Sequence, residues 1–183
     1  MLPAYPLILG SASAAGTAVT GTTAASIMPV SALCTIPAGT LQLGSMLKVK
    51  LRGTISNIVT TPGTITFDLR VGGVVVSAFG AVQLSATANT NAAFDLEMIG
   101  VVRSVGAGTT ATIIASAEFT SRSVVGSPTA ATGGAGGVIL PETGMTTGTG
   151  FNSTASMAVD SFATFSLTGN SITVHQALIE LKV

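Results

Sequence analysis

Charged side chains are scarce in this chain of 183 residues. They make up 8% of the sequence, and none occurs before Lys48. An ordinary soluble domain carries roughly 25% charged residues, which help to keep neighbouring molecules apart in solution. Because the mean hydropathy is +0.69 and the formal net charge is zero, we expect the protein either to lie in lipid or to have much of its surface covered by other protein.

Long apolar runs are missing as well. Ser, Thr and Gly interrupt every hydrophobic stretch before it reaches the roughly 18 residues of a transmembrane helix. The apolar residues 5–9 and the small residues 12–14 resemble a secretory signal, but they lack its basic region and its length. We therefore expect no membrane partner, and we interpret residues 1–30 as an uncleaved, extended N-terminal arm.

An excess of basic residues and a set of cysteines are also absent. The seven Lys and Arg residues are balanced by seven Asp and Glu residues, which argues against a nucleic-acid partner. Cys34 is the single cysteine, so it cannot form an internal disulfide or a multi-cysteine metal site. We expect its side chain to be a small hydrophobic group of the core.

Catalytic signatures are absent too. His175 is the single histidine, and the sequence has no H-x-x-H pair, G-x-S-x-G turn or phosphate-binding loop. Asp95 and Glu97 would lie on one face of a strand about 7 Å apart, but any alternating strand gives that spacing. Aromatic residues, which sugar-cleaving sites use as platforms, are only 4% of the chain. The sequence therefore predicts that the protein is not an enzyme and has no catalytic, metal-binding or cofactor-binding residues and no cofactor.

Strand periodicity is what the sequence does contain. Apolar and polar residues alternate along residues 47–52, 65–71, 94–98, 111–119, 157–167 and 172–183. This pattern predicts an all-β fold, a β-sandwich or jelly roll of about eight antiparallel strands, in a single domain over residues 31–183. In the last strand the apolar phase changes, which predicts a β-bulge near residues 176–178.

Two further patterns bear on the surface of this domain. Residues 126–150 contain eight glycines and two prolines, which predicts a long Gly-rich loop. The charged strand residues share faces along their strands; the sets are Lys48, Lys50 and Arg52, then Asp68 and Arg70, then Asp95 and Glu97. If these strands are neighbours, the charges form a cross-strand ladder, and otherwise they form plain solvated faces.

Several blocks of the chain resemble a family of structural proteins from tailed-bacteriophage and prophage particles. These blocks are residues 51–56, 60–72, 102–112, 125–128, 159–165 and 170–176. The resemblance extends over roughly residues 36–183 and rests on turn and strand motifs. It implies a jelly-roll or β-sandwich module displayed on the virion, and it brings no catalytic residues with it.

The resulting functional hypothesis is a capsid decoration, or cement, protein made in the host cytoplasm and located on the capsid surface. It would bind the major capsid protein where capsid subunits meet, stabilise the head, and associate with itself as a homotrimer. We expect the uncharged residues 1–30 to anchor it. The alternative is a tail-fibre or spike-tip module that binds a host receptor or glycan; a carbohydrate-binding module and an enzyme fit the aromatic-poor composition less well.

Overall fold

The computed structural model describes residues 6–58, 60–123, 136–142 and 144–183. The fold is all-β, as the sequence predicts, and its strands pair antiparallel in two sheets. Within these residues, no helix is long and apolar enough to cross a membrane.

The described residues form eleven strands and a short 3₁₀ turn at Val30–Ala32. The strands are β1 (Leu7–Ser11), β2 (Ala25–Ser26), β3 (Cys34–Ile36), β4 (Met46–Asn57), β5 (Thr64–Val71), β6 (Val74–Gln83), β7 (Asn89–Ser104), β8 (Thr112–Ser121), β9 (Gly137–Leu140), β10 (Met157–Phe165) and β11 (Ser171–Lys182). Each strand predicted from alternation is present. The five additional strands are β6, which has ten residues, and β1, β2, β3 and β9, which are five residues long or shorter.

The larger sheet has the order β1-β11-β4-β7-β8-β9, and the smaller one has the order β2-β10-β5-β6, with β3 also paired to β10. Because β7, β8 and β9 are consecutive in the chain and adjacent in the sheet, they form a meander. The strand order supports a β-sandwich, but it does not confirm the jelly-roll connectivity, which needs two Greek keys.

The core lies between the two sheets and is filled by the inward-facing residues of the alternating strands. In β5, for example, every second residue from Ile65 to Val71 is buried, and the residues between are half-buried. The rings of Phe67 on β5 and Phe119 on β8 meet edge to face with centroids 4.8 Å apart. This contact joins the two sheets directly.

The N-terminal segment packs on the protein's own strands. β1 pairs with β11, Val19 bridges Ile172, and β2 pairs with β10. Gly10 permits part of this packing, because a Cβ at that position would overlap the carbonyl oxygen of Ala32. Where the sequence predicts an arm extended toward other proteins, residues 7–26 thus lie along the edges of both sheets.

The Gly-rich segment contains a strand that its composition did not indicate. Residues 137–140 form β9 on the edge of the larger sheet, and Thr147 bridges Ile114. The prediction of one continuous loop over residues 126–150 is therefore wrong for these residues, since the apolar run after Gly137 pairs with β8. Residues 126–135 and 143 of the predicted loop lie outside the described residues.

The bulge predicted in the last strand is present. The register of β11 against β4 shifts between Val174 and Gln176, so His175 is the extra residue, one position before the predicted range. The shift restores Ile179 and Leu181 to the buried face that Val174 occupies before it.

Candidate interaction surface

The predicted charge ladder is confirmed where β4 and β7 are neighbours. Lys48 Nζ lies 3.0 Å from Glu97 Oε1, Lys50 Nζ lies 3.3 Å from Glu97 Oε2, and Arg52 Nε lies 2.6 Å from Asp95 Oδ2. Partial burial opposes ionisation of Glu97, but the hydrogen bonds and charges of the two lysines outweigh it and hold its pKa below the ordinary value. The carboxylates of Asp95 and Glu97 thus both form ion pairs that stabilise the sheet.

The second set of strand charges lies in the other sheet and is not part of this ladder. Arg70 Nη2 lies 3.3 Å from Asp68 Oδ2, and the guanidinium carbon of Arg70 lies 3.6 Å from the ring centroid of Phe162. Asp160, which faces Arg70 across the strand pair, accepts hydrogen bonds at 2.7 Å from the Ser26 hydroxyl and from the N–H of Ser161. These contacts tie the N-terminal strand β2 to the sheet.

Burial raises the pKa of Asp160, against the lowering effect of its hydrogen bonds and of Arg70. A raised pKa is one sign of a catalytic acid. Here the carboxylate already accepts a hydrogen bond from the Ser26 hydroxyl. The described residues contain no group of three His, Cys, Asp or Glu side chains that could hold a metal ion. We interpret Asp160 as a structural anchor.

The two remaining candidates for catalysis are also poorly placed. His175 is exposed at the bulge, and its Nε2 lies 3.2 Å from the Thr54 hydroxyl, so the contact orients the ring without supplying a carboxylate partner. Cys34 is half-buried and packs against the core, and desolvation raises the pKa of its thiol to about 11. At neutral pH this group is a thiol and a weak nucleophile.

Two surface grooves in the described part of the molecule hold few ionisable groups. One of about 270 Å³ lies between β6, β8 and residues 146–149, and neither acid nor base lines it. Another, of about 430 Å³, lies beside β9 and contains Glu118 as its one ionisable residue. Neither groove brings together the pair of groups that general acid–base or nucleophilic chemistry requires.

Exposed apolar side chains are the feature that stands out instead. The large exposed hydrophobic residues are Leu7, Ile8, Val30, Leu33, Leu43, Met46, Val105, Ile139, Met145, Leu167 and Val183. Leu43 and Met46 come from the turn before β4 and from its first residue, and Val105 follows the last residue of β7. These two parts of the chain meet where β4 begins and β7 ends. The exposed fractions of Leu43, Met46 and Val105 are 73%, 38% and 45%, and we call this group the apolar end.

Sheet register brings the apolar end together. Met46 lies opposite Val101 of β7 and Lys182 of β11, and the N–H of Gly44 donates to the carbonyl oxygen of Val102 at 3.0 Å. This bond continues the β4–β7 ladder past Met46. Because the pairing continues in this direction, Leu43 lies beside the residues that follow β7, which include Val105.

Hydrogen bonds order the backbone that carries Leu43 and Val105. Leu43 is at the tip of the turn 42–45, in which the N–H of Ser45 donates to the Gln42 carbonyl at 3.0 Å and the Ser45 hydroxyl accepts from the Gln42 N–H at 2.8 Å. Gly44 supplies the positive φ of 87° that the turn needs. After Val105, the N–H of Gly106 donates to the Ser153 hydroxyl at 2.8 Å. The apolar end is therefore presented on ordered backbone.

Comparison with protein-family models, with curated proteins and with solved structures finds no match for this chain. The charged faces were visible in the sequence because their residues alternate along single strands, and the pairing of β4 with β7 makes two of them a ladder. The apolar end was not, since Val105 lies 62 residues after Leu43 and only the register of the sheet brings it beside Leu43 and Met46.

Proposed function

We propose that this protein is a bacteriophage virion structural protein, a capsid decoration protein that binds the outer surface of the head through its apolar end. The observation that carries the proposal is a group of exposed large apolar side chains on ordered turns, in a chain with only 8% charged residues. Exposed apolar groups of this kind are typical of protein interaction sites. The resemblance of residues 36–183 to phage and prophage structural proteins supports the virion as the place where such a site is used.

The proposed action is adhesive, and no bond is made or broken. Burial of apolar surface contributes about 25 cal/mol per Å², less the cost of immobilising the partners. Because a hydrogen-bonded turn already orders Leu43 and the bond from Gly106 to Ser153 orders the backbone after Val105, little further ordering opposes binding. A module that contacts several subunits of the major capsid protein, as a homotrimer would, resists their separation and so stabilises the head.

The test uses heads of the encoding phage that lack this protein, mixed with the purified chain. We expect saturable binding in a sedimentation assay, density on the head surface by cryo-electron microscopy, and a higher temperature of DNA release. Light scattering of the free protein gives its oligomeric state. Density confined to the tail would contradict the proposal and favour the tail-fibre or spike-tip alternative.

A matched pair of variants tests the binding surface. Leu43→Asp replaces an exposed side chain of the apolar end, and Leu167→Asp replaces an exposed leucine between β10 and β11, at the opposite end of the sheet. Since burial of a leucine is worth roughly 1.5–3 kcal/mol, we expect Leu43→Asp to weaken head binding by about tenfold or more and Leu167→Asp to leave it unchanged. Equal binding of both variants would show that the head contacts another surface.

A further inference from the structure

Two cations lie beside the apolar end, and the described residues offer neither of them an ion pair within 4 Å. Arg103 is exposed on β7, two residues before Val105, and Lys182 is exposed on β11, opposite Met46. Most of the other strand cations, by contrast, are paired: Lys48, Lys50, Arg52 and Arg70 each contact a carboxylate.

Carboxylates are missing from the chain segments that build this end. Residues 36–46, 101–112 and 149–158 contain no Asp or Glu. The nearest acidic residue along β11 is Glu180, which faces Lys48 across the strand pair. Among the described side chains, Arg103 and Lys182 therefore add two positive charges beside the apolar end that no carboxylate contacts within 4 Å.

We infer that the partner of the apolar end is an acidic protein surface, in which an apolar patch is flanked by carboxylates that pair with Arg103 and Lys182. This inference rests on the proposed function and names the chemistry of the capsid site. Protein interfaces commonly combine a desolvated apolar centre with charged groups at the rim, and arginine is enriched in them. The uncompensated charge would steer association and fix the orientation of the bound molecule.

The small number of cations favours protein over the other polyanions. Recognition of an anionic membrane surface commonly uses clusters of about four to eight Lys and Arg residues, and nucleic-acid binding relies on many phosphate contacts. Two cations beside three exposed apolar side chains match the polarity of a protein interface better. Anionic vesicles and duplex DNA therefore serve as the contrary arms of the test.

The test is charge reversal at the two cations. Arg103→Glu and Lys182→Glu are made singly and together, with Arg122→Glu as the matched control, because Arg122 is exposed just after β8, at the opposite end of the sheet. Binding to heads that lack the protein is measured at 50 and 500 mM NaCl. We expect the double variant to bind about tenfold more weakly than the native protein at 50 mM, with the difference shrinking at 500 mM as salt screens the charges. The control should follow the native protein at both concentrations.

The possible results separate this inference from the proposed function. If the native protein binds heads and the double variant binds equally well with the same salt dependence, the acidic-partner inference is overturned while the decoration role stands. If the native protein does not bind heads, both the decoration role and the acidic-partner inference are contradicted. If the native protein binds phosphatidylserine vesicles or duplex DNA and the double variant does not, the acidic-partner inference is overturned in favour of a membrane or a nucleic acid. Unchanged far-ultraviolet circular dichroism of each variant confirms that it is folded.

Discussion

Glu97 and Glu118 lie directly opposite each other on β7 and β8, but their surroundings differ. Glu97 contacts Lys48 and Lys50 on the neighbouring strand. Glu118 is exposed and has no ion pair among the described side chains. Like charges that face each other across two strands are destabilising, so the two lysines decide which of these carboxylates contributes to stability.

We therefore predict opposite effects for two similar substitutions. At pH 7, Glu97→Gln should lower the free energy of unfolding by about 0.5–1 kcal/mol, because Lys48 loses its partner and Lys50 keeps only the contact with Asp95 at 3.7 Å. Glu118→Gln should leave it unchanged or raise it slightly, because it removes a like-charge contact. Urea unfolding of both variants measures the difference, and an equal loss in the two would show that the ladder contributes nothing specific.

The pH dependence of the Glu97 contribution follows from the direction of its pKa. The ion pairs hold the pKa of the folded state below the ordinary value of 4.5, so ionisation of Glu97 favours folding above that value. The contribution is lost as the pH falls through the lowered pKa of the folded state. Repeating the urea unfolding at pH 3 should thus show a smaller gap between the native protein and Glu97→Gln than at pH 7.

At the scale of elements, the bulge in β11 depends on a glycine in the neighbouring strand. The extra residue, His175, brings the backbone of Thr173 and Val174 over Gly53 of β4. A Cβ at Gly53 would overlap the carbonyl oxygen of Thr173 and press on Val174 Cα. Backbone cannot rotate away as a flexible side chain can, so either the bulge or the strand pairing must shift.

Gly53→Ala should therefore lower the free energy of unfolding by about 2 kcal/mol or more, in the upper part of the range for overpacking. Gly21→Ala is the matched control, because the nearest atom to its added Cβ would be at an ordinary contact distance of 3.8 Å. Urea midpoints of the two variants against the native protein give the comparison. A Gly53→Ala protein as stable as the control would mean that β11 can pair without its bulge.

The same elements show which parts of the fold could be predicted from the sequence. β4, β5, β7, β8, β10 and β11 were recognisable because each has at least eight residues and alternates along part of its length. β1 and β9 have five and four residues, too few for a period to emerge. β1 is a strand because β11, about 170 residues further along the chain, supplies its hydrogen bonds. Pairing at that separation leaves no local signal.

At the scale of the whole molecule, the two sheets are expected to unfold together, because side chains from both fill a single core. Phe67 of the smaller sheet and Phe119 of the larger one are both fully buried and meet edge to face at 4.8 Å. The ring of Phe94 also packs near that of Phe119, with the two centroids 5.8 Å apart. An aromatic pair of this geometry is worth about 0.5–1.5 kcal/mol beyond the area that it buries.

A double-mutant cycle measures this coupling between the sheets. Phe67→Leu and Phe119→Leu should each lower the free energy of unfolding by roughly 1–3 kcal/mol, and the double variant should lose about 0.5–1.5 kcal/mol less than the sum of the two, because the pair can be lost only once. Phe151→Leu is the control, because Phe151 is also fully buried but lies opposite Ala111, eight residues before Phe119 in the chain; it should be additive with Phe67→Leu. Strict additivity of both pairs would place the coupling between the sheets elsewhere in the core.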